Sequence, residues 1–479
     1  MKKYCRFSKP ANSLPQANSK PRPSHRFWPT LTAVFAVAIA VGFAETGTAE
    51  ALVFRHVNVV PMDEERVLRE QTVLIEGGRI VSIAPAADAE IPDRATVIDA
   101  GGQYLMPGLA EMHAHMPGQG DDRRYRENVA FLYLANGVTL ARSMLGAPVH
   151  LQLCQQLADG SVDGPRLISA GPGLGGNIQT PGEGIRVARQ QAEAGYDLLK
   201  IFWGMPHDAF NALAEAAHAA NIEFSGHVPG AVGVPRALEA GYTTIDHFDA
   251  YMPTLVDSDE TEGVDGGFFG YRYAPYVRDE RIQAIAEKTR DAGVWNVPTE
   301  TIMHSAFAVD LETVREDRPE FRYMPQGVVD GWVNWVTNFR NQDHYDQEAG
   351  DAFIQVRLDL IKALHDAGAG LLLGSDAPQW FNVPGFSVHR EMAVMESAGL
   401  SPYDVLKTGT VNPAEYLGEE DVFGRVAEGL KADLILVNGN PLEDLAHAQD
   451  IEGVVRHGRW FSREDLDERL DEIAARNEN

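Results

Sequence analysis

The sequence predicts an α/β protein, a TIM (β/α)8 barrel carrying a small β-sandwich domain assembled from both ends of the chain. Two observations predict it. Between residues 106 and 410, eight apolar runs alternate with helical stretches, the pattern of a parallel sheet with crossover helices. Before and after that region, short strand-like runs separated by turn residues share one texture. If both ends build one β domain, the middle must be an inserted unit whose own ends lie close, as domain termini often do. The expected divisions are a leader over 1–49, a composite β domain over 51–105 and 411–462, a barrel over 106–410, and a C-terminal helix over 463–479.

The head of the chain differs from the rest. Lys2, Lys3, Arg6, Lys9, Lys20, Arg22 and Arg26 precede the apolar run Leu31 to Ala44, and Gly47, Thr48 and Ala49 follow. A basic head, an apolar run and small residues make a secretory signal cleaved near Ala49. The alternative is an uncleaved membrane anchor, but the run falls short of the ~20 residues that a span needs. The expectation is export to the periplasm or beyond the cell, with no stable membrane span after cleavage. Of the two cysteines, Cys5 would leave with the signal, so Cys154 has no intrachain partner. Cys154 reads as a buried helix residue rather than a nucleophile. The net charge of −28 excludes nucleic acid as a partner, because phosphate contacts need Lys and Arg.

Strands are expected at Ala51–Phe54, Val57–Val60, Thr72–Ile75, Arg79–Ile83 and Thr96–Asp99, with Gly77-Gly78 as a hairpin turn between two of them. The texture returns at Ala432–Val437 and Gly453–Arg459. In between, the first barrel strand ends in Met112-His113-Ala114-His115-Met116. The others are Gly137–Arg142, Pro165–Ala170, Tyr196–Phe202, Ile222–His227, Tyr242–His247, Val294–Thr299 and Gly370–Asp376. Residues 249–293 and 301–365 are longer than a loop plus helix requires. Within them, the acidic run Asp257 to Glu262 reads as a solvated loop. Trp332, Trp335 and Phe339 recur at helical spacing, as the buried face of a helix or as substrate-lining residues. The tail Arg463 to Asn479 reads as an exposed, charged helix.

Residues two apart on a strand share a face, so His113 and His115 converge as two ligands of one metal must. In a TIM barrel, residues at the C-terminal ends of strands face one active site. His113, His115, Lys200, His227, His247 and Asp376 all sit at or near such ends. Neutral imidazoles and carboxylates suit zinc-like ions. Two metals about 3.5–4 Å apart can share a hydroxide at neutral pH. The Lys200 amine can supply a bridging carboxylate by reacting with carbon dioxide to give a carbamate. Asp376 would then bind a metal and act as the base.

These motifs make the sequence recognisable. They are Met106-Pro107-Gly108-Leu109 with His113-Ala114-His115, Leu199-Lys200-Ile201, Gly226-His227-Val228-Pro229, Thr244-Ile245-Asp246-His247, Gly374-Ser375-Asp376, and Gly424-Arg425-Val426-Ala427-Glu428-Gly429-Leu430-Lys431-Ala432-Asp433-Leu434. Over 51–460 the chain resembles the amidohydrolase superfamily, in the branch with imidazolonepropionase-like and prolidase-like (Xaa-Pro dipeptidase-like) members. The resemblance implies His113 and His115 on one divalent metal, His227 and His247 on a second, Lys200 bridging as a carbamate, and Asp376 as ligand and proton shuttle. Zn2+ is the expected ion. Many relatives carry Glu-His where this chain has Asp246-His247, and the 249–293 insertion is unusually long and aromatic.

Gly171-Pro172-Gly173-Leu174-Gly175-Gly176 formally matches a dinucleotide-binding loop, but such a loop must open a helix at once. Asn177 to Gly182 reads as more loop, which leaves a flexible segment after the third barrel strand. The expected function is hydrolysis of an amide bond by a metal-bridging hydroxide. The substrate, on family grounds alone, is a dipeptide or N-acyl amino acid. A lactone, ester or cyclic-amide hydrolase on the same centre is the alternative, and a non-catalytic scaffold is the alternative of another class. A homo-oligomer remains open.

Overall fold

The computed structural model describes residues 51–477, so the expected leader over 1–49 lies outside the described residues. The first strands are β1 (Leu52–Val59), β2 (Leu68–Glu76), β3 (Arg79–Pro85), β4 (Thr96–Asp99) and β5 (Tyr104–Pro107). A two-residue Gly77-Gly78 turn, both glycines at positive φ, joins β2 to β3, as the sequence predicts. Next come β6 (Leu109–Ala114), β7 (Val138–Ser143), β8 (Arg166–Ser169), β9 (Leu198–Ile201), β10 (Glu223–Gly226), β11 (Thr244–Asp246) and β12 (Trp295–Val297). The last three are β13 (Leu434–Val437), β14 (Ile451–Arg456) and β15 (Arg459–Ser462).

Strands from both chain ends lie in one eight-stranded sheet, ordered β15-β14-β13-β5-β1-β2-β3, with β4 also on β1. The two segments meet where β5 pairs antiparallel with β13, Met106 opposite Ile435. This is one sheet that turns back on itself, not two separate ones: β3 at its far end bridges Lys431, just ahead of β13. Phe54, Val59, Ile75, Leu434, Leu436 and Val455 fill the space enclosed. The return to this sheet begins at Leu434. Residues 411–417, which the sequence places in the composite β domain, form the helix Val411–Leu417, held by the Asn412 amide on the Leu371 carbonyl and closed by Gly418 at φ 63°.

The middle of the chain is α/β with parallel strands, in the two sheets β6-β7-β8 and β9-β10-β11-β12. Every residue of β6, β7 and β9 is buried, as expected of parallel strands covered on both faces. Ala170 bridges Leu198 between the two sheets. The eighth run, 370–376, is less regular than expected: only Leu371 bridges a strand, to Asn296 in β12. Its remaining backbone groups are divided between neighbours, with the Leu373 amide on Thr408 and the Leu373 carbonyl accepting from Met112 in β6.

The long insertions hold regular elements. The first contains two 3-10 segments and then the helix Asp279–Asp291, so its irregular, aromatic part is 249–278. The second contains the helices Gln326–Arg340 and Gln347–Ala367. Trp332 and Phe339 are buried there, and the half-buried Trp335 stacks on Trp380, with ring centroids 3.9 Å apart. The tail forms the helix Arg463–Asn477, but it is not the fully exposed rod expected. Leu466, Leu470, Ile473 and Ala474 bury one face, and Arg469 bonds Asn128 on the helix Arg123–Ala135. Among the described residues no helix is long and apolar enough to cross a membrane.

Candidate metal centre

All six residues singled out from the sequence come together. His113 is the penultimate residue of β6 and His115 lies just past its end; the alternation of the strand sends both side chains to one side. Lys200 lies in β9, His227 just after β10, His247 just after β11, and Asp376 at the end of the eighth run. His115 Nε2 is 2.6 Å from Asp376 Oδ1, and His113 Nε2 is 3.5 Å from the same oxygen. Lys200 Nζ lies 3.4 Å from His113 Nε2. The His247 ring is 4.4 Å from that of His113 and 4.7 Å from that of His227. Among the described residues, ligand atoms of His113, His115 and Asp376 lie within 4.8 Å of one another, close enough to hold one ion.

The backbone beneath is unusual. His247, Thr299 and Asp376 take positive φ values of 63°, 53° and 61°, which non-glycine residues adopt only when their surroundings enforce it. Gly226 has a direct steric reason. At φ 116°, a Cβ there would stand 2.6 Å from Lys200 Cδ and 2.9 Å from the Ile201 carbonyl oxygen. Only glycine leaves room for the lysine chain to reach the centre.

A ring of further polar residues orients the histidines. Asp249 Oδ2 accepts from His227 Nδ1 at 3.1 Å, from Trp203 Nε1 at 2.6 Å and from the Val228 amide at 3.1 Å. The Thr299 hydroxyl is 2.7 Å from His247 Nδ1 and donates to the Pro298 carbonyl, so it accepts from the ring. Both bonds direct Nε2 of each ring away from the support, the usual arrangement around a metal-binding imidazole. Asp246 Oδ2 lies 3.0 Å from His113 Nδ1 and 3.6 Å from Lys200 Nζ. Yet His113 Nδ1 and Asp246 Oδ2 are both buried without a hydrogen-bond partner, being poorly aligned with each other. Glu111 accepts from the amides of His113 and Ser375 and from the Ser375 hydroxyl, and so ties β6 to the eighth run.

Sequence reasoning assigned no role to Glu111, Asp246, Asp249 or Thr299. Two of them left a signal. Glu111 is two residues before His113 and shares its face of β6, and Asp246 directly precedes His247. Asp249 and Thr299 reach their histidines across loops, with no periodicity to betray them.

Burial lowers the proton affinity of the imidazoles. His113 and His247 are held well below the usual histidine value, His227 less strongly, with nearby cationic groups adding to the effect. The Lys200 ammonium is likewise disfavoured by burial, against the opposing pull of Asp246. The centre therefore offers neutral imidazoles, a carboxylate and an amine driven towards its neutral form. Such a donor set, with unsatisfied buried polar atoms beside it, fits a zinc-like divalent ion. The glycine-rich stretch after β8 is a loop, as the sequence predicts, and not a dinucleotide site. Residues 171–176 form a loop packed on Phe202 and Trp203, and the next helix opens only at Pro181. Cys154 is buried in the helix Pro148–Ala158, as read.

The sequence model described as "Amidohydrolase family" matches residues 104–461. Ochratoxinase from Aspergillus niger is 21% identical over 86% of this chain and 86% of its own length. Imidazolonepropionase from Pseudomonas putida is 22% identical over 82% of this chain and 94% of its own. The crystal structure of a Xaa-Pro dipeptidase with bound methionine in the active site superposes with a TM-score of 0.60. It is 17% identical and covers 86% of this chain and 100% of that one, which makes it a likeness of fold. The family read from the motifs is borne out.

Proposed function

Because this chain belongs to the amidohydrolase family, we propose that it hydrolyses the amide bond of a dipeptide or N-acyl amino acid at a centre of two divalent metals, zinc by donor chemistry. The observation that carries this reading is the meeting of His113, His115 and Asp376 with Lys200, His227 and His247 in one buried cluster. Closure of the parallel strands into a barrel belongs to the same reading. It is supported by the Ala170–Leu198 bridge, by the Asn296–Leu371 bridge, and by the Asp376 amide on the His113 carbonyl.

His113 and His115 would hold one metal and His227 and His247 the other. Lys200, whose charged form burial disfavours, would in its neutral form add carbon dioxide at Nζ and release a proton, giving an anionic carbamate that would help hold the ions. The bound metals would supply Lewis acidity for the substrate carbonyl and lower the pKa of an attacking water. Asp376 holds its carboxylate at the centre, where it can take a proton and hand it to the leaving nitrogen. Asp249 and Thr299 keep the rings of His227 and His247 in register.

Metal analysis and a panel of dipeptides, N-acyl amino acids, lactones and esters test the reading. Lys200→Ala is expected to bind about one metal instead of two and to be nearly inactive, with short carboxylic acids partly restoring both. Lys200→Arg is expected to stay inactive, because a guanidinium keeps its charge and forms no carbamate. An alanine variant that keeps two metals and full activity without added acid would overturn the bridge. A folded wild-type protein that takes up no metal would support the scaffold instead.

A further inference from the structure

The irregular part of the first insertion, 249–278, builds a cavity of about 400 Å3 directly beside the centre. Trp203, Val228, Pro253, Phe268, Phe269 and Tyr273 line it. Trp203 stands against the His227 ring at 3.9 Å, and Phe269 lies 5.7 Å from the ring of His247. Two features mark the cavity as built for a ligand. Phe269 is held over the histidines at φ 51°, a conformation that an aromatic residue rarely takes, between Gly267 and Gly270 at φ 68° and 81°. Trp203 leaves 48% of its surface open, although its indole N–H is fixed on Asp249.

The charge of the cavity decides what it takes. Neither lysine nor arginine lines it, and its two carboxylates are already engaged. Asp249 accepts from Trp203, His227 and Val228, and Asp265 pairs with Arg272 at 3.0 Å and accepts from the Gly267 amide. A carboxylate entering here would be desolvated among aromatic rings, and the nearest guanidinium, that of Arg272 behind Gly267, is already paired with Asp265. A flat, uncharged ring would instead find aromatic partners on several sides. We propose that this cavity is the specificity subsite of the amidohydrolase reading, taking an uncharged aromatic group attached next to the scissile carbonyl. The α-carboxylate of an amino-acid substrate lies outside it. The inference rests on the reading of the centre as an amide hydrolase.

Gly230 provides the test. It lines the cavity, its φ is not left-handed, and a Cβ built on it meets nothing within 4 Å. Gly230→Leu therefore adds an apolar side chain at the cavity lining where the backbone leaves room for it. Two measurements go together on the metal-loaded enzyme. In the first, amides of one amine that carry acetyl, phenylacetyl or 4-carboxyphenylacetyl groups are compared. Wild type is expected to favour phenylacetyl over acetyl by about tenfold or more in kcat/KM, the scale of a filled apolar pocket. It is expected to reject the carboxylated ring. Gly230→Leu is expected to erase the preference, lowering kcat/KM for the phenylacetyl amide about tenfold or more relative to the acetyl amide. In the second, binding of indole and of indole-3-carboxylate is followed by calorimetry. Indole binding is expected in wild type and weakened about tenfold or more in the variant, with no binding of the carboxylate. Equal loss on all three amides, no loss on any, or preference for either carboxylated ligand would overturn the subsite. If no amide is turned over yet indole binds and is displaced by the leucine, the cavity stands and the hydrolase reading fails.

Discussion

Asp376 meets the centre from a backbone turned to φ 61°, with Oδ1 facing His115 and accepting from the Gln379 amide. Asp376→Asn keeps the size and most of these contacts but cannot carry a proton. Turnover is expected to fall about 10²–10⁴-fold, the usual scale of a general acid–base group, with the fold and most of the metal retained. Steady-state kinetics beside metal analysis check it, and near-normal turnover would refute the role. The six central residues were legible because each is a metal-binding or proton-carrying type at the end of an apolar run. Their supports were less so. Thr299 reaches His247 across 52 residues and Asp249 reaches His227 across 22, and such loop contacts follow from tertiary geometry alone.

At the scale of elements, the eighth run depends on a glycine for its approach to β6. A Cβ at Gly374 would stand 2.5 Å from Val297 Cγ1 and 2.8 Å from the backbone nitrogen of His113. A backbone atom between hydrogen-bonded strands cannot yield cheaply, so Gly374→Ala is expected to push Asp376 away from His113. Activity should drop at least about tenfold, since small misplacements of reacting groups are costly. The melting temperature should fall as well. Thermal unfolding and kinetics on the same preparation measure both, and an unchanged kcat would show that the close approach is dispensable. The sequence marked this run as apolar but not as irregular, because its hydrogen bonds go to Thr408 as well as to flanking strands. The tail helix was legible as a helix. Its buried face was also written in the chain, as Leu466, Leu470 and Ile473 at helical spacing, but was masked by the charges between them.

For the whole molecule, the buried histidines link stability to pH. In the unfolded chain an imidazole titrates near 6.5, whereas His113, His227 and His247 are held lower in the fold by burial. As pH falls through 6.5 the unfolded chain takes up protons that the folded one refuses, so this contribution to stability is lost on acidification and is fully present above 6.5. Metal-free protein is expected to show a falling denaturation midpoint below pH 6.5, and His247→Asn a shallower decline. A flat profile in wild type would exclude the linkage. Export is also a property of the whole chain. It is proposed from the basic head and apolar run before Ala49, and N-terminal sequencing of protein from the native envelope tests it. An intact Met1 on cytoplasmic protein would refute it. The division of the chain into a parallel-sheet unit between two strand-rich ends was legible from texture. That both ends build one β unit was legible as well; the strand order that makes it one continuous sheet was not, because it is a long-range property.

That shared sheet sets a timetable for the newborn chain. The edge of β5 finds its partner only when β13 exists, and residues 104–107 must wait for 434–437. At common translation speeds the wait is roughly 15 s to a minute. Throughout it, an apolar strand edge stays open while the whole middle of the protein is being made. The ribosome therefore releases the keystone of the sheet late, ahead only of β14, β15 and the tail helix, and any chain cut short before Leu434 leaves its earliest strands without the neighbour they were shaped to meet.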